Sequence, residues 1–547
     1  MQFHHTAPKR RGVNYFQIGV SFLFAQTAAS KATSCSKENF SFPNLHGAQL
    51  LSITTSTLSG FKPQAGFLPE AALVAEDGVQ ACNVTISYTH PGHNDDVTVQ
   101  LWLPTSNYNG RYVGVGGGGW SAGEMGADIR SAFASQGYAV ATTNAGYNQN
   151  MFATADTWLM KNPGNLEYPL VVNFGHRALH DMTVISKHII REAYGSLPEF
   201  SYWQGCSTGG RQGLTIAQRY PEDFDGLLTS CPAVNFSSLL VAMYWPQLIM
   251  NQKGIYPKAC EFEAIVAGLA DSCGKTADAE SCDFDVASLI GTTIDCQGKS
   301  TTISSTAVEV YKALLEGPVD LEGNQLFPGV TVGTAVTGMM SIANTHCEGE
   351  TCSGGRPFTI ADDWIRLMVK KDPSFDPTKM THAEYVQIFR DSVNEWDGMF
   401  SSNNPDLQRF RQLGKKMISW HSVNDEAVPV KAMRQYYDRV LALDSSRNVS
   451  TQDYYRYFEV PGATHCLAPA GVPYPLKALD TLRSWVEDGT APESLPAVAL
   501  GTEKLETKSE PPICVYPNKP LSVKTGYLCE NIAVVANGEG KHVKDEL

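Results

Sequence analysis

FSYWQ (200–204), then Gly205-Cys206-Ser207-Thr208-Gly209, then GRQGLTIAQRY (210–220) reads as a strand, a sharp turn and a helix. The turn has the form G-x-S-x-G, which between a strand and a helix lifts a serine to the edge of a parallel sheet. Small residues flank Ser207 because the turn is too tight for large ones, and the helix start behind it favours developing negative charge. Upstream, segments near 98–104, 111–116 and 137–143 read as strands, and 175–195 (GHRALHDMTVISKHIIREAYG) as a helix ending at Gly195. Further strands are expected near 226–230, 415–420 and 454–460. Strands alternating with helices predict an α/β fold with a mostly parallel sheet covered on both faces.

The pattern occurs a second time, at Gly119-Trp120-Ser121-Ala122-Gly123. Context separates the two. Ser121 follows the run Gly116 to Gly119 after an early strand, the position where an α/β-hydrolase brings bare backbone N–H groups to its substrate. Ser207 is therefore the expected nucleophile, with Gly117, Gly118 and the Thr208 N–H as expected oxyanion donors. A phosphate-binding role for the glycine run would need a following Lys-Ser/Thr, which is missing.

A base and an acid are legible downstream. KKMISWHSVNDEAVP (415–429) places Asp425 in a loop just past a strand, where a carboxylate can fix an imidazole tautomer and stabilise the imidazolium. An aspartate in such a turn is often only a solvated loop residue, but the order Ser207, Asp425, His465 is the α/β-hydrolase order. His465, in VPGATHCLAP (460–469), has the ring chemistry to take the serine proton and return it. Its neighbour singles it out from the other twelve histidines. If Cys206 and Cys466 are bridged, their Cα atoms lie within roughly 4.4–6.8 Å, which keeps Ser207 and His465 within ~14 Å, Cα to Cα. Such a staple points to a serine esterase.

At 547 residues the chain can bury a large core. A formal charge of −14 argues against nucleic acid or an anionic membrane surface as partner. Residues 1–30 have the basic start, short apolar stretch and small-residue exit of a secretory signal, too short and polar to span a membrane; a disordered cytosolic N-terminus is the alternative. Thirteen cysteines suit an oxidising compartment, with six bridges and one thiol over. Sequons begin at Asn39, Asn83, Asn235 and Asn448, and the chain ends Lys544-Asp545-Glu546-Leu547, a retrieval signal of the endoplasmic reticulum lumen. The expected location is thus the secretory pathway, in that lumen if the signal is read and outside the cell otherwise.

Cys206-Ser207, Asp425 and His465-Cys466, with WLPTSNYNGRYVGVGGGGW (102–120) and GYAVATTNAG (137–146), resemble the tannase and feruloyl esterase family over most of the chain from about Cys35 to Cys529. The resemblance implies an α/β-hydrolase fold with a large inserted lid, the triad Ser207, Asp425 and His465, and hydrolysis of galloyl, hydroxycinnamoyl or related aromatic esters. The substrate is then a small aromatic ester handled through an acyl-enzyme. Residues 31–235 and 401–540 are expected to form the catalytic domain, and 236–400 the lid, where cysteines crowd and 160-odd residues exceed any structureless loop. Trp364, Trp396 and Phe400 are candidates for an aromatic pocket there, although such residues more often form a segment's own core.

Two departures from the family stand out. The stretch matching its lid calcium loop, C-D-x-x-D-G-x-x-D-G, is Cys273 to Cys282 (CGKTADAESC), without the acidic ladder. Asp278, Glu280, Asp283 and Asp285 could supply some oxygens, but calcium prefers six to eight, so no cofactor and no tight metal site is expected. Tyr147 stands where relatives often have histidine, and LAPAGVPYP (467–475) replaces a glycine-rich stretch. The resemblance also implies bridges Cys260–Cys273 and Cys282–Cys296 in the lid, with Cys35–Cys82, Cys347–Cys352 and Cys514–Cys529 elsewhere, leaving Cys231 free. Alternatives to simple hydrolysis are acyl transfer or ester cleavage in a secondary-metabolite pathway, and a non-catalytic lumenal binding protein on the same scaffold. Nothing in the sequence speaks to oligomeric state.

Overall fold

The computed structural model describes residues 34–63, 68–124, 126–147, 153–273, 284–349, 351–500, 511–523 and 526–530. The leader (1–30), the C-terminal tetrapeptide (544–547) and the candidate calcium ligands Asp278, Glu280 and Asp283 lie outside these. Nine strands form one sheet: β1 (Gln49–Phe61), β2 (Val79–Thr89), β3 (Val97–Pro104), β4 (Arg111–Val115), β5 (Ala139–Thr143), β6 (Phe200–Cys206), β7 (Gly226–Ser230), β8 (Lys416–Ser422) and β9 (Tyr455–Val460). Their spatial order is β1-β2-β3-β5-β4-β6-β7-β8-β9.

The first three strands and the β3–β5 pair run antiparallel, and every pair from β5–β4 to β8–β9 is parallel. Burial follows topology. Strands β5 and β7 are buried at every position, as strands covered on both faces must be. Strand β1 is an edge strand, exposed or half-exposed throughout, and its QLLSITTSTLSGF carries no clean apolar alternation. That is why β1 escapes a reading based on hydrophobic periodicity.

The strand order also explains where a site can form. Strand β4 lies between β5 and β6, so the chain moves to opposite sides of β4 as it lays them down. Crevices beyond the carboxyl ends of strands open at such switch points. Register puts Val115 opposite Gln204, so the glycine run leaving β4 starts beside the turn leaving β6. The loops after β7, β8 and β9 emerge on the same edge.

Helices α1 (Asp128–Ser135), α2 (Ala178–Tyr194) and α3 (Thr208–Arg219) intervene between the first strands. Helix α2 begins after a π-turn over Asn173–Arg177 and stops where Gly195 takes the left-handed conformation, φ +83°. The carbonyls of Phe174 and Gly175 in that turn accept from the buried Arg211 guanidinium of α3, at 3.4 and 3.3 Å. Arg211 also packs over the rings of Phe174, Phe236 and Phe400, and burial pushes its pKa down to about 9.

Between β7 and β8 come α4 (Phe236–Ala242), α5 (Trp245–Lys253), α6 (Ala259–Cys273), α7 (Ser305–Glu316) and α8 (His382–Phe400), with two small hairpins. None of the described strands in this stretch joins the nine-stranded sheet. Helix α8 opens with a reciprocal capping box, Thr381 with Glu384. Trp364, Trp396 and Phe400 are core residues, clustered with Trp120, Phe174 and Phe236 and away from solvent. The aromatic-pocket expectation for them is corrected accordingly. After β8 and β9 follow α9 (Val430–Ser446) and α10 (Ala478–Asp488). No helix among the described residues is long and apolar enough to cross a membrane.

Bridges Cys35–Cys82, Cys206–Cys466, Cys347–Cys352 and Cys514–Cys529 are present. The expected Cys260–Cys273 and Cys282–Cys296 pairs are not; Cys260 bonds Cys296, with Cα atoms 5.7 Å apart. The reason is helical rise. Cys260 and Cys273 sit at opposite ends of α6, about 20 Å apart at 1.5 Å per residue, far outside disulfide reach. Cys273 is itself disulfide-bonded, and Cys282 lies outside the described residues. Cys231 is a buried free thiol.

Candidate active site

Ser207 occupies φ +61°, ψ −121° at the junction of β6 and α3, a conformation L-residues rarely adopt. Tight surroundings impose it. A Cβ on Gly205 would come within 2.6 Å of the Gly209 backbone, and one on Gly209 within 2.9 Å of Gly117 O. The turn is pinned by Ser207 N–H donating to Ser230 O at 3.0 Å and by Ser207 O accepting from Arg211 N and Ala233 N. Its side chain is left facing a cavity of about 250 Å³ lined by Leu68, Gly116 to Gly119, Glu124, Ile129, Cys206, Ser207, Met340, His465 and Cys466.

Ser121 is placed differently. It is fully buried, its Oγ has no hydrogen-bond partner, and it does not line the cavity. Only the backbone of its loop reaches the site. That loop is held from four directions: Gln212 accepts from Gly117 N at 3.1 Å and donates to Ala122 O, and the Thr208 hydroxyl donates to Gly119 O. Tyr147 OH donates to Trp120 O at 2.6 Å, and the Trp120 indole donates to Asp363. Tyr147, stacked on Trp158 at 3.9 Å, is thus a brace for the glycine loop.

The Gly117–Gln212 bond corrects one expectation. An amide already spent on a side-chain carbonyl is not aimed at substrate, so Gly117 is a spacer. A Cβ there would lie 2.0 Å from Ser121 O. Among the described residues the N–H groups of Gly118 and Thr208 donate to no protein acceptor, which leaves them as the candidate oxyanion donors.

Asp425 and His465 are joined. The ring Nδ1 donates to Asp425 Oδ2 at 2.8 Å, and Asp425 Oδ1 accepts from Ala427 N and Val428 N at 3.0 and 2.7 Å. Both side chains are buried, but His465 lines the same cavity as Ser207. No hydrogen bond joins Ser207 Oγ to the ring, though both side chains line the same cavity. Burial disfavours the Asp425 carboxylate, yet the charge and hydrogen bonds of His465 and His421 outweigh it and hold Asp425 well below the usual range. For His465, burial lowers the pKa, and Asp425, with Glu426 behind it, more than reverses this and raises it.

The Cys206–Cys466 bridge spans the two loops with Cα atoms 6.0 Å apart, beside Ser207 and His465. Sequence reasoning passed over three neighbours. His421 shares its Nε2–H between Val428 O at 2.9 Å and Asp425 Oδ2 at 3.3 Å. Glu426 accepts from His465 N, and Gln212 holds the glycine loop. Their signals were a histidine one helical turn's spacing before the acid, an Asp-Glu doublet, and a glutamine facing inward from α3.

Three sets of metal-type ligand atoms approach within 4.8 Å: Cys206, Cys231 and Cys466; Cys231, Asp425 and His465; and His90, His93 and Asp95. In the first, two sulfurs are spent in a bridge; in the second, acid and imidazole bond each other. In the third, His90 bonds Asp95 and Asp181 through its two ring nitrogens, at 2.6 and 3.1 Å.

Comparison with known proteins agrees with this geometry. Residues 82–531 match the family described as "Tannase and feruloyl esterase". The chain is similar to a probable feruloyl esterase of Arthroderma benhamiae, 34% identical over 87% of this chain and 89% of that one. It is also similar to a tannase of Aspergillus oryzae, 26% identical over 80% and 83%. The structure of a tannin acyl hydrolase from Aspergillus niger superposes with a TM-score of 0.81 at 24% identity, covering 91% of this chain and 95% of the other, a likeness of fold.

Proposed function

The chain belongs to the tannase and feruloyl esterase family, and from that premise we propose that it hydrolyses esters of aromatic acids through an acyl-enzyme on Ser207. As a member it is a carboxylic ester hydrolase; the acid class and the residue roles are our reading. One observation carries them: Ser207 and His465 open onto one small, largely apolar cavity, with Asp425 fixed behind the ring.

Ser207 Oγ attacks the ester carbonyl while His465 takes its proton; the Gly118 and Thr208 N–H groups receive the oxyanion. His465 then protonates the leaving alcohol, and water, activated by the same ring, releases the acid. Residues 236–400 act as a lid, contributing Met340 to the cavity wall. The relatives' names support feruloyl-type and tannin-type esters as the classes to try. The test is acid release from a panel of hydroxycinnamoyl, galloyl and simple aryl esters. Turnover is expected on at least one aromatic class; a protein active only on short aliphatic esters would overturn the aromatic reading.

The bridges fit an oxidising secretory compartment, where the sequons would be read. Asn39 and Asn448 are exposed. Asn83 and Asn235 are half-buried. Glycans are therefore expected on Asn39 and Asn448, and glycosidase release followed by peptide mass mapping would show them. Occupancy confined to Asn83 or Asn235 would contradict this assignment.

A further inference from the structure

We propose that Glu426 is a positioning residue for His465 and that its carboxylate sets the pH at which the ring becomes a base. The proposal rests on the reading of Ser207, Asp425 and His465 given above.

Adjacent carboxylates in the β8–α9 loop grip one residue from two sides. Asp425 takes the ring of His465 through Nδ1, and Glu426 Oε2 accepts from the His465 backbone N–H at 3.0 Å, across 39 residues of chain. A third tie in the same place is the Ser422 hydroxyl, which donates to Thr464 O at 2.6 Å. The disulfide fixes Cys466 to the nucleophile's loop, but it leaves torsional freedom in the backbone on the other side of the histidine. Glu426 removes it.

Charge is the second half of the argument. The titratable groups in contact with His465 or its Asp425 partner are Asp425 and His421 from β8 and its loop, Glu426 from the same loop, and the Cys231 thiol from the end of β7; across the cavity lie Asp128 and Glu124, the latter paired with Arg130. Burial, with Asp425 adjacent, pushes the Cys231 thiol far up, so it stays protonated and uncharged. The negative charges that bond His465 are therefore two carboxylates, in surroundings with little water to screen them. A second anion favours the imidazolium and so raises the pH needed to discharge the ring. Glu426 is itself raised by burial and by Asp425, as expected of one carboxylate crowded by another.

Two substitutions separate charge from anchoring. Glu426→Gln keeps an acceptor oxygen for the His465 N–H and removes the charge; Glu426→Ala removes both. The His465 ring would be followed by NMR titration of 13C-labelled histidine in a Ser207→Ala background, where no turnover is needed. In that background Glu426→Gln is expected to lower the ring's pKa by about half a unit to one unit. In otherwise native protein it should move the acid limb of kcat/KM equally far toward low pH, with the plateau kept within a few-fold. Glu426→Ala should instead lower kcat about tenfold or more with KM little changed. An unmoved ring titration in Glu426→Gln would overturn the charge role, and an unaltered kcat in Glu426→Ala the anchoring role. Failure of the Ser207 nucleophile reading would show separately, as turnover that survives Ser207→Ala.

Discussion

Ser207→Ala is expected to abolish acid release from every ester the protein cleaves, by a factor on the order of 10⁴–10⁶ in kcat. The loss should fall on kcat with little change in KM, because the substitution removes one oxygen and leaves the cavity wall intact. Folding should survive, since alanine adds no volume at the left-handed position and the hydroxyl holds no structural bond. Ser121→Ala is the matched control. Its hydroxyl is fully buried and unpartnered, so its removal should leave turnover within a few-fold. The measurement is single-turnover and steady-state acid release with a chromogenic aromatic ester; wild-type protein should show a burst of the alcohol product that Ser207→Ala lacks. Activity persisting in Ser207→Ala and lost in Ser121→Ala would reverse the assignment.

The contrast between the two serines shows what a sequence can carry. Both stand in G-x-S-x-G, so the motif alone does not separate them, but the strand before and the helix after Ser207 do. Those neighbours bear local signals: FSYWQ is a buried strand, and GRQGLTIAQRY a helix whose glycines allow close approach to β6 and β7. The alternation of strands and helices from β3 to β9 was legible for the same reason, because buried parallel strands are short apolar runs. The edge strand β1 was not, since none of its residues is fully buried and they carry no clean period. Helix α6 was equally opaque to cysteine matching. Pairing Cys260 with Cys273 is natural along a string but needs a chain that turns back between them, and a straight helix forbids it. What local pattern does not carry is which residue a polar side chain meets: the Gln212 amide that occupies Gly117, the Glu426 carboxylate on the His465 backbone, and Tyr147 bracing Trp120. Each is a polar side chain whose meaning depends on a residue 27 to 95 positions away.

Removing the Cys206–Cys466 bridge is expected to cost both stability and activity, and the variant must be chosen with Cys231 in mind. The three sulfurs lie within 4.8 Å of one another. A single substitution such as Cys466→Ser would leave Cys206 facing Cys231, free to form a new bridge that pulls the nucleophile turn toward β7. Cys206→Ser/Cys466→Ser avoids this. The native bridge closes 260 residues, so the chain-entropy treatment allows up to roughly 5 kcal/mol of stability, to be read from the shift in the urea midpoint. The sheet and its hydrophobic core are untouched, so the double variant should fold. Catalysis should fall about a hundredfold or more in kcat, because an ångström of play between Ser207 and His465 spoils proton transfer. The Asp425 and Glu426 contacts hold the histidine to the β8 loop, but among the described residues no hydrogen bond ties the His465 loop to the Ser207 turn. A double variant with native kcat would mean that packing alone sets that register, and that the bridge serves stability.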